Sequence, residues 1–290
     1  MTARPQHVPA DVGLLAVDID GTLLNWDGSL LDATARAIAQ AAATPGVHVV
    51  LATGRSIHST MGVARRLGLA EGWAVCANGS IIIRFGPDLP GGWVLVEAVT
   101  FDPRPALDAV RQYLPHAALA VEEIGVGFLV TAEFPAGELD GGMRVVDYDE
   151  LTARPATRVI LRATELDSDQ LMEVVRLTRL PGVTYTVGWL GWLDLNPPGV
   201  SKANALEVVR GQLGVPPSGT VAIGDGGNDV SMLAWASRGV AMGGSRDDVV
   251  AAASEVTATI EQGGAADVIF DVLDGVAQEG KGHETGHGGG

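Results

Sequence analysis

Residues 14–22 read LLAVDIDGT, and the fold that we predict is built outward from this stretch. The first four residues form an apolar run typical of a buried parallel strand. Two aspartates, Asp18 and Asp20, follow at the end of the strand, and side chains two positions apart on a strand face the same side. In an open parallel sheet, ligands bind beyond the carboxyl ends of the strands. The stretch therefore predicts a site that contains two neighbouring carboxylates.

Alternating strands and helices are predicted in two regions of the chain. The segment between them has strands and helices in a mixed order. Strand, helix, strand, helix and strand are predicted up to residue 77, and the alternation resumes from residue 202 to residue 258. Short links between such elements are typical of a parallel sheet covered by helices. We predict an α/β fold with a doubly wound, parallel-sheet, Rossmann-like core (residues 1–80 and 196–275), an inserted α+β cap (residues 81–195) and a disordered tail (residues 276–290).

The composition excludes several classes of partner. Among 290 residues, 19 Lys and Arg face 35 Asp and Glu, which gives a net charge of −16. Nucleic acids and anionic membranes bind clustered positive charge, so we expect neither as a partner. No run approaches the ~20 apolar residues of a membrane span, and the first residues lack the apolar centre of a signal peptide. Cys76 is the single cysteine, so no internal disulfide forms, and we predict a cytoplasmic protein. The sequence does not indicate an oligomeric state.

The aspartate pair has a chemistry of its own. Close carboxylates repel each other unless a cation lies nearby or one is protonated, and Mg²⁺ prefers one or two carboxylates with water and phosphate oxygens. A strand-end aspartate such as Asp18 can attack phosphorus and form an aspartyl-phosphate. Asp20 can protonate the leaving oxygen and later accept a proton from water. These residues alone leave open an Asp-Gly turn whose carboxylates only cap the backbone.

Two groups suited to phosphate follow other predicted elements. Thr53, Gly54 and Arg55 come directly after the second strand, where a hydroxyl, a flexible backbone and a cation can hold phosphate oxygens. Lys202 opens a later helix, and there it can neutralise the first aspartate and a transferring phosphoryl group. Taken singly, a helix cap and a surface lysine also explain these residues.

An acidic, glycine-rich turn completes the set. Residues 224–229 read GDGGND, so Asp225 stands at a strand end and Asp229 lies one helical turn beyond. A plain surface turn explains this cluster alone. It does not explain four such clusters in this order at the strand ends of one sheet.

The four clusters together resemble the haloacid dehalogenase superfamily. Its phosphatases carry a DxDGT motif, a strand-end Thr or Ser, a distant lysine and an acidic GDxxND motif, and the match covers about residues 10–80 and 196–270. The resemblance implies a Mg²⁺-dependent phosphatase with Asp18 as nucleophile and Asp20 as general acid and base. The metal ligands that it implies are Asp18, the backbone carbonyl of Asp20, and Asp225, with Asp229 supporting the metal's waters. The groups implied to hold and orient the phosphoryl group are Thr53, Lys202 and Asn228.

The insertion narrows the resemblance to one branch. It follows the third strand, where type IIB-capped members carry their lid, and the pair Asn78-Gly79 with residues 199–202 and 239–243 looks like the Cof-type branch. Ala203 and Gly244 stand where that branch commonly has Gly and Asn. The branch mostly hydrolyses sugar phosphates and other small phosphate esters. Candidate substrate contacts are Gly54, Arg55, Asn78 and Gly79 at the core rim, and Arg158, Glu122 and Glu123 in the lid.

Three functions remain open at this point. The first is a phosphomonoester hydrolase that acts on a small soluble phosphometabolite, such as a sugar phosphate. The second is a phosphosugar mutase of the phosphomannomutase type, which returns the phosphoryl group to a sugar. The third is a noncatalytic phosphate-binding regulatory protein, which the presence of all four key carboxylates disfavours.

Overall fold

The computed structural model describes residues 12–188 and 191–284, with side chains described up to residue 278. The strands are β1 (Leu14–Val17), β2 (His48–Ala52), β3 (Gly72–Cys76), β4 (Ile81–Phe85), β5 (Trp93–Ala98), β6 (Ala118–Glu123), β7 (Gly127–Val130), β8 (Gly142–Val145), β9 (Val159–Arg162), β10 (Thr184–Val187), β11 (Trp192–Asn196), β12 (Thr220–Gly224), β13 (Arg238–Ala241) and β14 (Glu255–Val256). The helices are α1 (Asp32–Ala43), α2 (Ile57–Arg66), α3 (Arg104–Arg111), α4 (Tyr148–Leu151), α5 (Ser168–Thr178), α6 (Lys202–Leu213), α7 (Val230–Trp235), α8 (Asp247–Ala252) and α9 (Gly264–Glu284).

The larger sheet has the strand order β14-β13-β12-β1-β2-β3-β4-β5. Pairing is parallel from β14 to β3, and β4 and β5 add two antiparallel strands at one edge. Every residue of β1 is buried, because alternate side chains pack into different layers. Leu15 and Val17 join the layer that contains α1, α2 and α9. Leu14 and Ala16 join the layer of α6, α7 and α8.

The smaller sheet has the order β10-β11-β9-β6-β7-β8, with antiparallel pairing except between β7 and β8. Apolar side chains of α3, α4 and α5 cover one of its faces, including Leu107, Leu151 and Leu171. The opposite face carries Phe128 and Ile160 and looks onto the strand ends of the larger sheet. We call the smaller sheet and these three helices the cap, and the larger sheet with its helices the core. The predicted α/β class, a doubly wound core with an inserted α+β cap, is confirmed.

The exact domain boundaries stay a prediction, and the structure differs from them at two points. Strands β4 and β5 lie in the segment that the sequence analysis assigns to the cap, yet they belong to the core sheet. Chain reversal after β3 pairs Gly72 with Phe85 and Cys76 with Ile81, which buries the apolar side of β4 in the core.

The second difference concerns the end of the chain. Helix α9 packs on α1 through Ile269 and Val272 and extends to Glu284, although a disordered tail is predicted from residue 276. The rest of that predicted tail, residues 285–290, lies outside the described residues. Within residues 12–188 and 191–284, every helix is too short or too polar to cross a bilayer.

Candidate active site

The candidate site lies where the parallel strands of the core end. Asp18 follows β1, Thr53 follows β2 and Asp225 follows β12, and β1 lies between the other two strands. Carboxyl ends of parallel strands share one edge of a sheet, so residues that are far apart in sequence become neighbours. Thr22, which follows β1, contacts the residue that follows β12: its Oγ1 donates a 3.0 Å hydrogen bond to Oδ1 of Asp225.

A buried lysine links two of the aspartates. Nζ of Lys202 lies 2.6 Å from Oδ1 of Asp18 and 2.5 Å from Oδ1 of Asp229, and the lysine side chain is 0% exposed. The Ser201 side chain accepts a hydrogen bond from the backbone N–H of Asn204, and this N-cap begins α6 at the lysine. Burial lowers the pKa of Lys202, but the two carboxylates raise it by more, so the ammonium stays charged.

Asp229 is held by more than the lysine. Its Oδ2 accepts the backbone N–H groups of Asp225 (3.0 Å) and Gly226 (2.8 Å), so both carboxylate oxygens have partners. One glycine allows this close packing: a Cβ on Gly224 would lie 2.6 Å from Cγ of Asp229. Asp229 therefore orients Lys202 and the turn that carries Asp225. Its predicted support of a metal's waters stays a prediction.

The acidic cluster fits a divalent cation. Asp18, Asp225 and Asp229 each offer a carboxylate oxygen, and these oxygens lie within 4.8 Å of one another. Three carboxylates against the single ammonium of Lys202 leave two negative charges, which one Mg²⁺ balances. Gly21 has φ +83°, and a Cβ there would lie 2.3 Å from Oδ2 of Asp225, so only glycine leaves room for this carboxylate. Because Asp229 already has partners on both oxygens, Asp18 and Asp225 are the carboxylates best placed to bind the ion.

The pKa shifts of this cluster reflect its excess of carboxylates over positive charge. Burial, together with the neighbouring Asp229, raises the pKa of Asp18 well above its ordinary value in spite of Lys202. The same two causes raise the pKa of Asp225 to about 7. The lysine alone is insufficient for three carboxylates, and a bound cation would lower both pKa values.

This shift predicts a pH dependence of stability without divalent cations. The folded protein holds the Asp225 proton up to about pH 7, whereas the unfolded chain releases it near the ordinary value of 3.8. The contribution of Asp225 is therefore fully present below that ordinary value and is lost as the pH rises through about 7. We expect the free energy of unfolding in EDTA, measured with urea at about pH 5 and about pH 8, to fall less in Asp225→Asn than in the wild type. The exposed Asp274→Asn is the matched control, and equal slopes in all three proteins would contradict the assignment.

Asp20 stands apart from the buried cluster. Its carboxylate accepts hydrogen bonds from Nε (2.7 Å) and Nη2 (2.5 Å) of Arg55, and the Asp20 side chain is 42% exposed. Arg55 is steadied in turn by a 2.8 Å hydrogen bond to Oγ of Ser59. The carboxylate of Asp20 thus lies at the cavity and is paired with Arg55. This arrangement is compatible with the predicted use of its backbone carbonyl as the metal ligand.

The predicted phosphate-binding residues form a network around the loop after β2. Oδ1 of Asn78 accepts a 3.0 Å hydrogen bond from Nδ2 of Asn228, and a Cβ on Gly54 would lie 2.9 Å from the same oxygen. Thr53, Gly54, Arg55, Asn78 and Asn228 all line one cavity. Gly79 has a different position, since a Cβ there would lie 2.2 Å from the carbonyl oxygen of Ser201. Gly79 therefore lets the start of α6 approach, and its role as a substrate contact stays a prediction.

The cavity lies between core and cap and has a volume of about 710 Å³. This volume is within the usual range for small-molecule sites. The core side contributes Asp18, Asp20 and Asp225, and the cap side contributes Arg158, Asp194, Glu138 and Trp192, among other residues. A second cavity of about 400 Å³ near His48 and Trp73 lies at the opposite ends of the strands, and its lining includes none of the strand-end aspartates.

Sequence reasoning missed Asn196, which links the cap to the loop beside this site. Asn196, at the end of β11, donates to the Ala77 carbonyl and to Oγ of Ser80, both at 3.0 Å, and so joins the cap's last strand to the core. A polar residue at a strand end just before a Pro-Pro pair was the available signal. Of the guessed lid contacts, Arg158 lines the cavity, whereas Glu122 and Glu123 line other pockets.

The comparison with known proteins agrees with this geometry. A family profile described as haloacid dehalogenase-like hydrolase matches residues 15–105 and 143–269. The chain belongs to the haloacid dehalogenase-like hydrolase family. Phosphatase YwpJ of Bacillus subtilis is 28% identical over 297 residues, which cover 90% of this chain and 99% of that protein. The 5-amino-6-(5-phospho-D-ribitylamino)uracil phosphatase YcsE of the same organism is 28% identical over 268 residues, which cover 91% of this chain and 97% of that protein.

A solved structure of this family extends the likeness to the cap. The subclass IIB sugar phosphatase BT4131 superposes with a TM-score of 0.73 at 23% identity, over 89% of this chain and 99% of that chain. This likeness concerns the fold, and the predicted resemblance to a type IIB-capped member of the family is confirmed. The chain is an enzyme of the phosphatase type in this family. Of the two departures from the branch pattern, Gly244 has φ +87°, a conformation that both Gly and Asn adopt readily.

Proposed function

We propose that this enzyme is a Mg²⁺-dependent phosphomonoester hydrolase that acts on a small soluble phosphometabolite, such as a sugar phosphate, through an aspartyl-phosphate on Asp18. The observation that carries the proposal is the strand-end carboxylate of Asp18, buried 2.6 Å from the ammonium of Lys202 and beside Asp225. When bound, Mg²⁺ would be held by Asp18, Asp225 and the backbone carbonyl of Asp20, and would neutralise charge on the phosphoryl oxygens.

The first half-reaction transfers the phosphoryl group to the protein. A carboxylate oxygen of Asp18 attacks phosphorus, the bond from phosphorus to the ester oxygen breaks, and Asp20 donates a proton to that leaving oxygen. The ammonium of Lys202 stabilises negative charge on Asp18 and on the phosphoryl group during transfer. Thr53 and Asn228 orient the phosphoryl oxygens from the rim of the cavity.

The second half-reaction releases phosphate. The ionised Asp20 takes a proton from water, the water oxygen attacks phosphorus, and the Asp18–phosphorus bond breaks to return the free carboxylate. Arg55 donates to both carboxylate oxygens of Asp20, so this ion pair has to loosen for Asp20 to donate its proton to the leaving oxygen. An arriving phosphate ester offers Arg55 a substitute anion, which supports the assignment of Arg55 to substrate binding.

The proposal extends to partners and location. The net charge of −16 favours small metabolites over nucleic acids as ligands, because the global field repels polyanions. Cys76 is buried, and burial raises the pKa of its thiol to about 12, so the free cysteine is unreactive. These features support a cytoplasmic enzyme.

Removal of the metal tests the proposal. We expect p-nitrophenyl phosphate hydrolysis to fall to background in EDTA and to return with excess Mg²⁺ but not with Ca²⁺, whose looser coordination suits in-line attack poorly. The measurement is release of inorganic phosphate, with a heat-denatured sample as the blank. Turnover that persists unchanged in EDTA would refute the metal site.

The same assay distinguishes the alternatives. A mutase would pass the phosphoryl group to a sugar and release little inorganic phosphate, whereas a noncatalytic binding protein would show no turnover with any metal. A screen of some tens of phosphometabolites then ranks substrates by kcat/KM.

A further inference from the structure

The cap side of the active-site cavity contains a buried charged cluster that the proposed mechanism does not use. Arg158, immediately before β9, lies between Glu122 on β6 and Asp194 on β11, because β9 pairs with both of these strands. Nε of Arg158 is 3.3 Å from Oε2 of Glu122, and Nη1 is 3.8 Å from Oδ1 of Asp194. The side chains of Arg158 and Glu122 are only 7% and 1% exposed, and the Arg158 guanidinium stands over the Phe128 ring.

Several polar atoms of this cluster lack hydrogen-bond partners in the described structure. They include Nε of Arg158, Oδ1 of Asp194 and both carboxylate oxygens of Glu122. Buried polar atoms are nearly always paired, so such a group calls for a ligand or for ordered water. Arg158 and Asp194 line the cavity that contains Asp18, and the Asp194 side chain is 15% exposed, so both residues belong to the wall that a substrate would meet.

The cluster also joins the cap to the phosphate-binding loop of the core. Nη1 of Arg158 donates a short hydrogen bond to the backbone carbonyl of Gly54. The indole N–H of Trp192 donates a 2.9 Å hydrogen bond to Oδ2 of Asp194, which orients the other oxygen, Oδ1. The loop at Gly54 and the cluster of Arg158 and Asp194 therefore lie side by side in one cavity.

The charges of the cavity wall show which leaving groups fit. The cations that line the cavity in the described residues, Arg55 and Arg158, both have carboxylate partners. Glu138 on the wall is paired with the buried Arg162, and Asp140 adds an exposed negative charge at the rim. Arg158 lies within ion-pair distance of two carboxylates, those of Glu122 and Asp194, so this cluster has one negative charge in excess. Among the described residues, the cavity lining therefore offers no unpaired cation to a second anionic group of the substrate.

Aromatic surfaces complete the wall. Trp192 packs edge-on against Phe134, and Trp26, which is 72% exposed, lies at the mouth of the cavity. Such faces suit the C–H groups of a sugar or polyol, while carboxylate oxygens accept its hydroxyl hydrogens.

We propose that Arg158, Asp194 and Trp192 form a leaving-group subsite that selects hydroxyl-bearing phosphate esters and excludes those with a second negative charge. This inference rests on the proposed phosphatase function and specifies its substrate class. Hydroxyl groups donate to the carboxylates of the wall, whereas a carboxylate or second phosphate is placed against Asp194, Glu138 and Asp140.

Matched substrate pairs test the subsite. Glucose 6-phosphate and 6-phosphogluconate differ by one carboxylate, and fructose 6-phosphate and fructose 1,6-bisphosphate differ by one phosphate. We expect kcat/KM to be at least about 10-fold higher for the first member of each pair, because like charges in a partly buried cavity repel strongly. A kcat/KM for either doubly anionic substrate equal to or above that of its partner would overturn the proposal.

A variant assigns the effect to the cluster. In Asp194→Asn, one wall charge is lost, so kcat/KM for 6-phosphogluconate should rise about 10-fold relative to glucose 6-phosphate. The exposed Asp169→Asn on the outer cap helix is the matched control and should leave this ratio unchanged. A purely structural role of Asp194 would lower both rates equally and would overturn the proposal.

Two further measurements make the test decisive if the variant does not fold or if the protein has no phosphatase activity. If Asp194→Asn fails to fold, Asp140→Asn at the exposed rim should shift the same ratio in the same direction, and an unchanged ratio would count against the subsite. Mg²⁺-dependent hydrolysis of p-nitrophenyl phosphate reports the proposed function separately. Loss of that activity refutes the phosphatase itself, whereas retained activity without charge discrimination refutes only the subsite.

Discussion

Replacing Asp18 by Asn is expected to abolish turnover while the fold survives. Removal of a covalent nucleophile typically lowers kcat on the order of 10⁵-fold or more. The asparagine keeps the volume of the side chain, and Lys202 retains its 2.5 Å ion pair with Asp229. Burial and the neighbouring carboxylates already oppose ionisation of Asp18, so its loss should change the free energy of unfolding by no more than about 1 kcal/mol.

Two measurements separate chemistry from folding in this variant. Phosphate release from p-nitrophenyl phosphate reports turnover, and urea denaturation reports the free energy of unfolding. Asp274→Asn, an exposed change of the same chemistry on α9, is the control and should match the wild type in both. Activity of Asp18→Asn within about 10-fold of wild type would exclude Asp18 as the nucleophile.

Replacing Lys202 by Met is expected to cost both stability and activity. The ammonium is 0% exposed and is the cation nearest to Asp18 and Asp229, whose side chains are 6% and 0% exposed. Deletion of one partner of a buried ion pair leaves uncompensated charge and typically costs about 3–5 kcal/mol. Loss of a cation that stabilises the transition state lowers kcat by about 10²–10³-fold or more.

A double variant shows whether the stability loss comes from unpaired charge. Lys202→Met combined with Asp229→Asn removes one of the stranded carboxylates, and the asparagine oxygen can still accept the backbone N–H groups of Asp225 and Gly226. We expect part of the free energy of unfolding to return and the activity to stay lost. The exposed Arg36→Met controls for removal of a positive charge. A single Lys202→Met variant as stable as the wild type would contradict the buried network.

The sequence was most informative where chemistry and local pattern coincide. Apolar runs followed directly by Asp18, Thr53 and Asp225 predicted strands with polar ends, and β1, β2 and β12 lie where these runs are. The N-cap at Ser201 was also predictable, because a capping hydroxyl acts on its own helix. The structure brings these strand ends together, and the catalytic and metal-binding roles of the residues stay predictions.

Local sequence patterns did not predict which strands pair with each other or which distant side chains form ion pairs. We predicted that the residues of β4 and β5 belong to the insertion. The apolar pattern of a strand does not indicate which sheet the strand joins. The ion pair between Asp20 and Arg55 joins residues 35 positions apart, and the Asp194–Arg158 contact depends on the register of β11 against β9. Neither follows from spacing along the chain.

By itself, the sequence determined the family, the α/β class and the strand-end motifs, because these depend on residue types at short spacings that act through local backbone geometry. Only the tertiary structure decided that Lys202 lies buried between Asp18 and Asp229, that Asp20 is held by Arg55, and that an acidic cluster of the cap faces the cavity. The physical reason is that burial and charge pairing arise from side chains brought together across sheets, and a linear pattern does not specify those neighbours.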